Sequence, residues 1–295
     1  MISIDPKSID TVKLQGYLQS SVGPRPIAFA STIGASGIPN LSPFSFFNVF
    51  SANPPILIFS PARRVRDNTI KHTLINAESN GEVVINVVNY DMVQQTSLAS
   101  TEYAEGVDEF IKAGFTPVPS EAVKPFRVKE SPVQFECKVT QIIPLGSEGG
   151  AGNLVLCEVL RIHISETVLN EDGTIDQHKI DLVSRLGANW YSRSNQGLFE
   201  VPKPLTTLGV GVDAIPDFVK NSPVFDGNDL GMLGNIEALP ATEEVSIFVK
   251  QNFAIKAVLS SDDLEKQHLE AKKYLLRNDV VAAWKVLLAK KIKSK

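Results

Sequence analysis

Residues 25–69, RPIAFASTIGASGIPNLSPFSFFNVFSANPPILIFSPARRVRDNT, hold the most informative pattern of this sequence. In the centre of this segment, NLSPFSFFNVF runs from Asn40 to Phe50 and places four phenylalanines beside two serines, two asparagines and a proline. A buried strand does not need these hydroxyl and amide groups, and an exposed loop does not need the rings. The pattern therefore raises the question of which ligand meets a surface that is aromatic and hydrogen-bonding at the same positions.

The residues on either side of this centre predict short β-strands. Ile27–Ile33 alternates apolar with small polar residues, and Pro54–Ser60 is an apolar run that begins with two prolines. Between them, GASG at residues 34–37 predicts a turn. We expect residues 38–47 to be irregular and extended, because their prolines cannot donate hydrogen bonds in a central strand.

A helix is predicted to follow, since Asp67 or Asn68 can cap the first turn of DNTIKHTLINAESN. Glu82–Val88 then has the composition of a strand. Two short helical segments are expected after it, at Asp91–Ala99 and at Asp108–Ala113. This part of the chain therefore adds one strand and three helices, all of them short.

Two longer strand-like runs, Val133–Ile143 and Leu154–Ile164, are joined by the glycine-rich segment PLGSEGGAGN, which we interpret as a flexible turn. Up to this point the chain has many predicted strands, few helices and no regular strand–helix–strand alternation. This pattern favours a mainly β fold, an antiparallel sheet closed into a barrel, over a doubly wound sheet.

The character of the sequence changes near residue 195. We therefore predict one domain at residues 1–195 and an extension at residues 196–295. Val201–Ala241 is rich in proline and glycine and is expected to follow a surface. Ser246–Leu259 fits a helix or a strand, because its apolar spacing does not decide between them.

The end of the chain predicts two amphipathic helices, at 261–277 and 278–292. An apolar stripe on the second helix consists of Val280, Val281, Trp284, Leu287 and Leu288. Such a stripe needs a surface to cover it, and we expect that surface to be the barrel or a second subunit. The stripe is our reason for predicting a homodimer.

Composition excludes several classes of protein. The chain has 295 residues with 43% hydrophobic residues and a net charge of −4, which suits a globular fold and argues against nucleic acid as a partner. The sequence has no basic segment followed by an apolar run at its start, and no apolar stretch of the length that crosses a bilayer. We expect a cytoplasmic protein with no membrane partner.

Other residues with reactive side chains give weak signals. Cys137 and Cys157 would lie close together across a hairpin, where two buried thiols are the preferred interpretation and a redox pair stays open. The four histidines lack the spacing of metal ligands, so no metal site is predicted. GVGVDA at Gly209–Ala214 matches a dinucleotide fingerprint by its letters alone, because Pro216 follows where a helix is required.

The functional groups of residues 25–69 point to one kind of ligand. Arginine and hydroxyl groups at a predicted helix N-terminus suit a phosphate. Aromatic rings beside backbone amides suit a flat heteroaromatic ring with polar edges. Together they describe a mononucleotide with a large planar base. The residues alone fit a second interpretation equally well, in which the phenylalanines are core and the arginines are solvated.

Residues 25–69 closely resemble the signature region of the flavin reductase-like, FMN-binding split-barrel proteins, the flavoredoxins in particular. NGEVVINVV, SPVQFECKV, GAGNLVLCEV and RLGANWYSR fit the same family, so the resemblance covers roughly residues 10–195. It implies a dimeric split β-barrel of antiparallel strands with short helices, which binds FMN non-covalently. It also implies electron transfer with NADH or NADPH, or with a redox partner protein.

The resemblance gives each of the following residues a hypothetical role. The flavin ring and ribityl chain would be lined by Thr32, Asn40, Ser42, Phe44, Ser45 and Phe46. The phosphate would be held by Ser60, Arg63, Arg66, Asn68 and Thr69, and the flavin would be covered by Trp190 and Tyr191. The flavin itself carries the redox step in such proteins, so no catalytic residue is assigned.

One segment departs from the family pattern. Many flavin reductases have a GDH motif whose histidine is linked to nicotinamide, whereas this chain has Gly152 and Asn153 at that place in GAGNLVLCEV. Two other interpretations therefore stay open. The protein is an FMN-binding electron carrier without its own NAD(P)H site, or a dimeric split-barrel scaffold whose helical extension binds a partner.

Overall fold

The computed structural model describes residues 1–201, 204, 208–261 and 263–289. The chain divides into two compact units, Met1–Phe199 and Glu200–Lys295. The first unit is mainly β and contains the informative segment 25–69, and the second is helical. No helix in the described part of the chain is both long and apolar enough to cross a membrane.

A seven-stranded antiparallel sheet forms the centre of the first unit. Its strands are β1 (Ala28–Ile33), β2 (Pro39–Phe44), β3 (Phe47–Ala52), β4 (Pro55–Phe59), β5 (Glu82–Val87), β8 (Val133–Pro144) and β9 (Asn153–Ile164). Two small ribbons pair β6 (Pro117–Val118) with β7 (Arg127–Val128) and β10 (Val183–Arg185) with β11 (Tyr191–Arg193). The order across the main sheet is β2-β1-β5-β8-β9-β4-β3.

Short helices precede or connect these strands. They are α1 (Thr11–Ser21), α2 (His72–Asn80), α3 (Val93–Leu98), α4 (Glu109–Ala113) and α5 (Gln177–Ile180). Single 3-10 turns lie at Pro6–Ser8, Tyr90–Met92, Glu166–Val168 and Ser194–Gln196. The sheet is covered on both faces, because successive residues of β1 enter two different cores: Ala28 and Ala30 lie in one, and Phe29 lies in the other.

Two predictions for this sheet are wrong. Residues 38–47 are not irregular, because they contain all of β2 and the first residue of β3. Pro39 and Pro43 are accommodated because β2 is an edge strand, where a missing N–H does not interrupt a ladder. The sheet is also not closed, since no ladder joins β2 to β3 among the described residues.

The predicted helix start at Asp67 or Asn68 is also wrong, because α2 begins at His72. The Asp67 carboxylate accepts hydrogen bonds from the Thr69 backbone N–H at 3.1 Å and from its hydroxyl at 2.6 Å. Asn68 has a left-handed backbone with φ of 58°. This local turn satisfies the backbone in a non-helical way and delays the helix.

The two cysteines are small core residues. Cys137 is in register with Val159, and Cys157 is in register with Val139. Both thiols are free and buried, and burial raises the pKa of Cys157 to about 12. A thiol with so high a pKa is unreactive at neutral pH, which supports the packing interpretation.

The second unit is a bundle of short helices. They are α6 (Asp217–Lys220), α7 (Gly227–Gly234), α8 (Thr242–Gln251), α9 (Phe253–Ser260), α10 (Leu264–Leu275) and α11 (Val280–Leu288), with a 3-10 turn at Val212–Ala214. The segment 246–259, which fits a helix or a strand by its sequence, is helical. The last residues of the helix predicted at 278–292 lie outside the described part.

These helices share a core of their own. Trp284 is fully buried, and its indole N–H donates to the Leu233 carbonyl oxygen at 2.9 Å. Val219 and Leu233, from the segment expected to follow a surface, are also fully buried in this core. That expectation is wrong for residues 215–233, which contribute buried side chains to this core. Trp284, Leu287 and Leu288 of the predicted stripe are covered within this unit, so the stripe itself does not require a second subunit.

Candidate functional site

A pocket of about 350 Å³ in the first unit brings many of the predicted site residues together. It lies where the end of β2, the start of β3 and the loop after β4 meet. Its lining consists of Gln15, Gln19, Pro43, Phe44, Ser45, Phe46, Ser60, Ala62, Arg63, Arg64, Val65, Arg66, Lys71 and Glu102. We call this the basic pocket, because four of its side chains are arginine or lysine.

An aromatic corner forms one wall of the basic pocket. The chain turns from β2 into β3 at Ser45 and Phe46, and the Ser60 N–H donates to the Phe46 carbonyl oxygen at 2.8 Å. Phe44 is buried against Phe59, with ring centroids 5.3 Å apart, whereas the Phe46 residue is 37% exposed. Phe44 therefore anchors the corner in the core, and Phe46 offers its ring to a ligand.

The opposite wall is the loop at residues 61–70, which we call the arginine loop. Arg63 donates from Nε to the Asn68 side-chain oxygen at 2.6 Å and from Nη2 to the Asn68 carbonyl oxygen at 2.9 Å. Arg64 donates from Nη1 to the Thr69 hydroxyl at 2.8 Å and to the Ile70 carbonyl oxygen at 3.0 Å. These two guanidinium groups therefore hold the shape of the loop.

The side chains of Arg66 and Lys71, by contrast, donate to no carbonyl oxygen or hydroxyl group of the loop among the described residues. The Arg66 side chain is 72% exposed and contacts two carboxylates, those of Asp67 and Glu102, each at 3.0 Å. The Lys71 side chain makes neither a hydrogen bond nor an ion pair within the described residues. Its pKa is lowered, first because burial removes water from the ammonium group and second because Arg64 is nearby. An anion in the pocket would relieve that cost.

The glycine-rich β8–β9 connection supports the arginine loop and is not simply a flexible turn. The Gly150 N–H donates to the Arg63 carbonyl oxygen at 3.0 Å, and the Arg63 N–H donates to the Ala151 carbonyl oxygen at 2.8 Å. A Cβ atom at Gly149 would lie only 3.0 Å from the carbonyl oxygens of Arg64 and Val65. The glycine therefore allows the close approach of two backbones.

Asn153, which with Gly152 stands where the resemblance leads us to expect a histidine, also holds the arginine loop in place. Its N–H donates to the Ser60 hydroxyl oxygen at 3.1 Å, and its side-chain amide donates to the Pro61 carbonyl oxygen at 2.9 Å. Asn153 is buried. Its functional groups therefore fix the start of the arginine loop and do not face the pocket.

Thr32 and Asn40 do not line the basic pocket. Asn40 donates to both carboxylate oxygens of Glu109 at 3.1 Å and accepts from the Thr73 hydroxyl at 2.7 Å. Thr32 accepts from the Asn76 amide at 3.0 Å. Burial raises the pKa of Glu109. This buried network fixes β1 and β2 to the helices beside them.

The remaining predicted residues lie in three places. Ser42 faces Ala30 in the β1–β2 ladder and is outside the basic pocket. Asn68 and Thr69 are in the arginine loop, where both side chains are bonded to arginines. Tyr191 lines a separate pocket of about 330 Å³, and neighbouring Trp190 is 74% exposed. The structure therefore brings neither aromatic residue to the basic pocket.

Several residues that line the basic pocket were not predicted from the sequence. Gln15 and Gln19 are four residues apart on α1, a spacing that places them on one helix face and was available as a signal. Lys71 was assigned to a helix interior because the helix start was misplaced. Glu102 gave no local signal, because it reaches the pocket from the connection between α3 and α4.

Comparison with known proteins identifies relatives of the first unit. The family described as flavin reductase like domain matches residues 21–182. An uncharacterized protein of Aquifex aeolicus (strain VF5) is 36% identical over 188 residues, 64% of this chain and 93% of that protein. Nitrilotriacetate monooxygenase component B from Bacillus cereus is 30% identical with a TM-score of 0.64, over 68% of this chain and 98% of that chain. Flavoredoxin of Desulfovibrio vulgaris (Miyazaki F) is 23% identical with a TM-score of 0.53, and the match covers 63% of this chain and 93% of that chain.

The mainly β sheet with its flanking helices is therefore that of the flavin reductase-like split barrels. The chain belongs to the flavin reductase-like family. The family predicted from residues 25–69 is confirmed. The similarity to flavoredoxin supports the fold alone.

Proposed function

We propose that this protein binds FMN non-covalently in the basic pocket and transfers electrons between NADH or NADPH, the flavin and an acceptor. The observation that carries the proposal is the meeting of the exposed Phe46 ring with Lys71, whose ammonium group forms no ion pair within contact distance among the described residues. Membership of the flavin reductase-like family supports a flavin as the ligand.

Several properties of the pocket support FMN as its ligand. Its volume of about 350 Å³ is within the range of small-molecule sites. Phe46 would flank the ring, and the hydroxyls of Ser45 and Ser60 would meet its polar groups. Arg66 and Lys71 would hold the phosphate, whose terminal monoester carries roughly −1.5 to −2 charge near pH 7.

A bound flavin would supply the hydride and single-electron chemistry. The residues of this chain would bind and orient it. The network of Thr32 and Asn40 with Glu109 would position β2, whose end carries the aromatic corner. Asn68 and Thr69 would keep the arginine loop in shape through their bonds to Arg63 and Arg64. These two residues would therefore support phosphate binding without contacting the phosphate.

A second candidate is an FMN-binding electron carrier without its own nicotinamide site. The observation that favours it is the Asn153 amide, which is committed to the Pro61 carbonyl oxygen where the family pattern has a histidine. Nitrilotriacetate monooxygenase component B is named as one component of a monooxygenase, which supports a separate protein as the electron acceptor.

An absorption spectrum of the purified protein tests the proposal. We expect the yellow bands of bound flavin, or uptake of added FMN with near-unit stoichiometry. Anaerobic NADH or NADPH is then expected to bleach the bound flavin. A protein that binds no FMN contradicts both flavin proposals and favours the scaffold. If a reducing partner protein bleaches the bound FMN but NADH and NADPH do not, the result favours the electron carrier without a nicotinamide site.

We also propose a homodimer, formed through the sheet of the first unit. Leu160, Ile162 and Ile164 alternate along β9 and are 49%, 52% and 41% exposed, so three apolar side chains project from one side of the strand. Val49 and Phe50 on edge strand β3 are also exposed. Apolar surface of this kind is typical of subunit interfaces.

Light scattering at micromolar concentration is expected to give twice the 32.1 kDa chain mass. Ile162→Glu is expected to give the single-chain mass, because a buried unpaired carboxylate opposes association. Ile111→Glu is the matched control, since Ile111 is an exposed isoleucine on α4. A wild-type protein of single-chain mass would contradict the dimer.

A further inference from the structure

Glu102 joins two arginines of the basic pocket. Its Oε1 accepts from Arg64 Nε at 3.0 Å, and its Oε2 accepts from Arg66 Nη2 at 3.0 Å. All three side chains line the pocket. The pKa of Glu102 is lowered, first by the hydrogen bond from Arg66 and then by that from Arg64. The carboxylate is therefore ionised at neutral pH and compensates two cationic groups.

The other carboxylate at Arg66 is held differently. Asp67 accepts from the backbone N–H and the hydroxyl of Thr69, so it belongs to the turn that shapes the arginine loop. Glu102 makes no side-chain hydrogen bond in the described structure except those to the two arginines. Its side chain is 44% exposed. Leaving the arginines would therefore cost Glu102 no other contact.

A ligand phosphate at Arg64 and Arg66 would compete with Glu102 for their N–H donors. Guanidinium groups bind carboxylates and phosphates with the same planar geometry. Arg64 Nη1 is committed to Thr69 and Ile70, which leaves Nη2 and the Nε that faces Glu102 as the donors that a ligand could reach. Carboxylate and phosphate cannot share these N–H groups without placing negative charges in contact.

We propose that Glu102 is a built-in competitor for the flavin phosphate. It neutralises Arg64 and Arg66 when the pocket is empty and releases them when FMN enters. The empty site is thereby stabilised relative to the loaded one, which weakens FMN binding and speeds FMN release. The protein is then suited to exchange its flavin with solution. This inference rests on the proposed binding of FMN in the basic pocket.

Glu102→Gln removes the charge and keeps the size of the side chain. We expect the Kd for FMN to fall about three- to tenfold, since partly exposed ion pairs have small energies. Stopped-flow mixing is expected to show slower FMN release by a similar factor. Riboflavin, which lacks the phosphate, is expected to bind the variant and the wild type equally, and it reports on the fold of the variant.

Glu105→Gln is the matched control. Glu105 lies three residues further along the same connection, carries the same charge and does not line the basic pocket. We expect no change in its Kd for FMN. An equal gain in both variants would show a general charge effect and overturn the inference.

Other outcomes separate this inference from the function on which it rests. Weaker FMN binding by Glu102→Gln would make Glu102 a positioning residue and overturn the inference, as would an unchanged Kd. In both cases the wild type still binds FMN, so the proposed function stands. A wild type that takes up no FMN overturns both.

Discussion

Arg66→Gln combined with Lys71→Met is expected to lower the affinity for FMN about 30- to 1000-fold. A hydrogen bond to a charged group contributes about 1.5–3 kcal/mol, and that of Arg66 is discounted because this side chain is largely exposed. A combined loss of about 2–4 kcal/mol gives the expected range, since ~1.4 kcal/mol is a factor of ten. Isothermal titration with FMN measures the change.

Two comparisons make this prediction specific to the phosphate. Riboflavin is expected to bind the double variant and the wild type within about threefold. Lys124→Met combined with Lys129→Met removes two positive charges from exposed positions outside the pocket and is expected to leave FMN binding intact. An equal loss for riboflavin, or an equal loss in the control, would contradict the assignment of Arg66 and Lys71 to the phosphate.

Gly149→Ala is expected to lower FMN affinity at least about tenfold. Its Cβ would lie 3.0 Å from two carbonyl oxygens and 3.1 Å from the Val65 Cα, so backbone must move. The backbone that moves is the arginine loop, which carries Arg64 and Arg66 into the pocket. Displacing a positioned binding group by about 1 Å is costly, and overpacking also lowers stability by about 1–3 kcal/mol.

Gly197→Ala provides the comparison for this substitution. A Cβ at Gly197 meets no atom within 4 Å, so neither FMN affinity nor thermal stability is expected to change. Titration with FMN and thermal unfolding measure the two effects separately. If Gly149→Ala bound FMN as the wild type does, the close approach of the β8–β9 connection would not position the arginine loop.

Much of the fold follows from local pattern. The strands predicted at 27–33, 54–60 and 82–88 occur at Ala28–Ile33, Pro55–Phe59 and Glu82–Val87. Alternation and flanking prolines are properties of neighbouring residues, so they are readable in one sequence. The edge positions of β2 and β3 depend on pairing with β1 and β4, which is long-range information. The sequence therefore predicted strands well and closure of the sheet poorly.

The candidate site divides in the same way. Phe44, Ser45, Phe46, Ser60, Arg63 and Arg66 were predicted from one continuous segment, and all six line the basic pocket. Lys71 was missed because the left-handed backbone of Asn68 delays α2. Glu102 was missed because 36 residues separate it from Arg66. A residue that reaches a site only through tertiary structure cannot be predicted from the sequence pattern around that site.

A crystal structure of the protein soaked in FMN is the most direct test of the account. We predict flavin in the basic pocket, its ring against Phe46 and its phosphate within hydrogen-bond distance of Arg66 and Lys71. Glu102 is expected to have left both arginines. Flavin bound elsewhere, or a basic pocket filled by the protein's own side chains, would contradict the central claim.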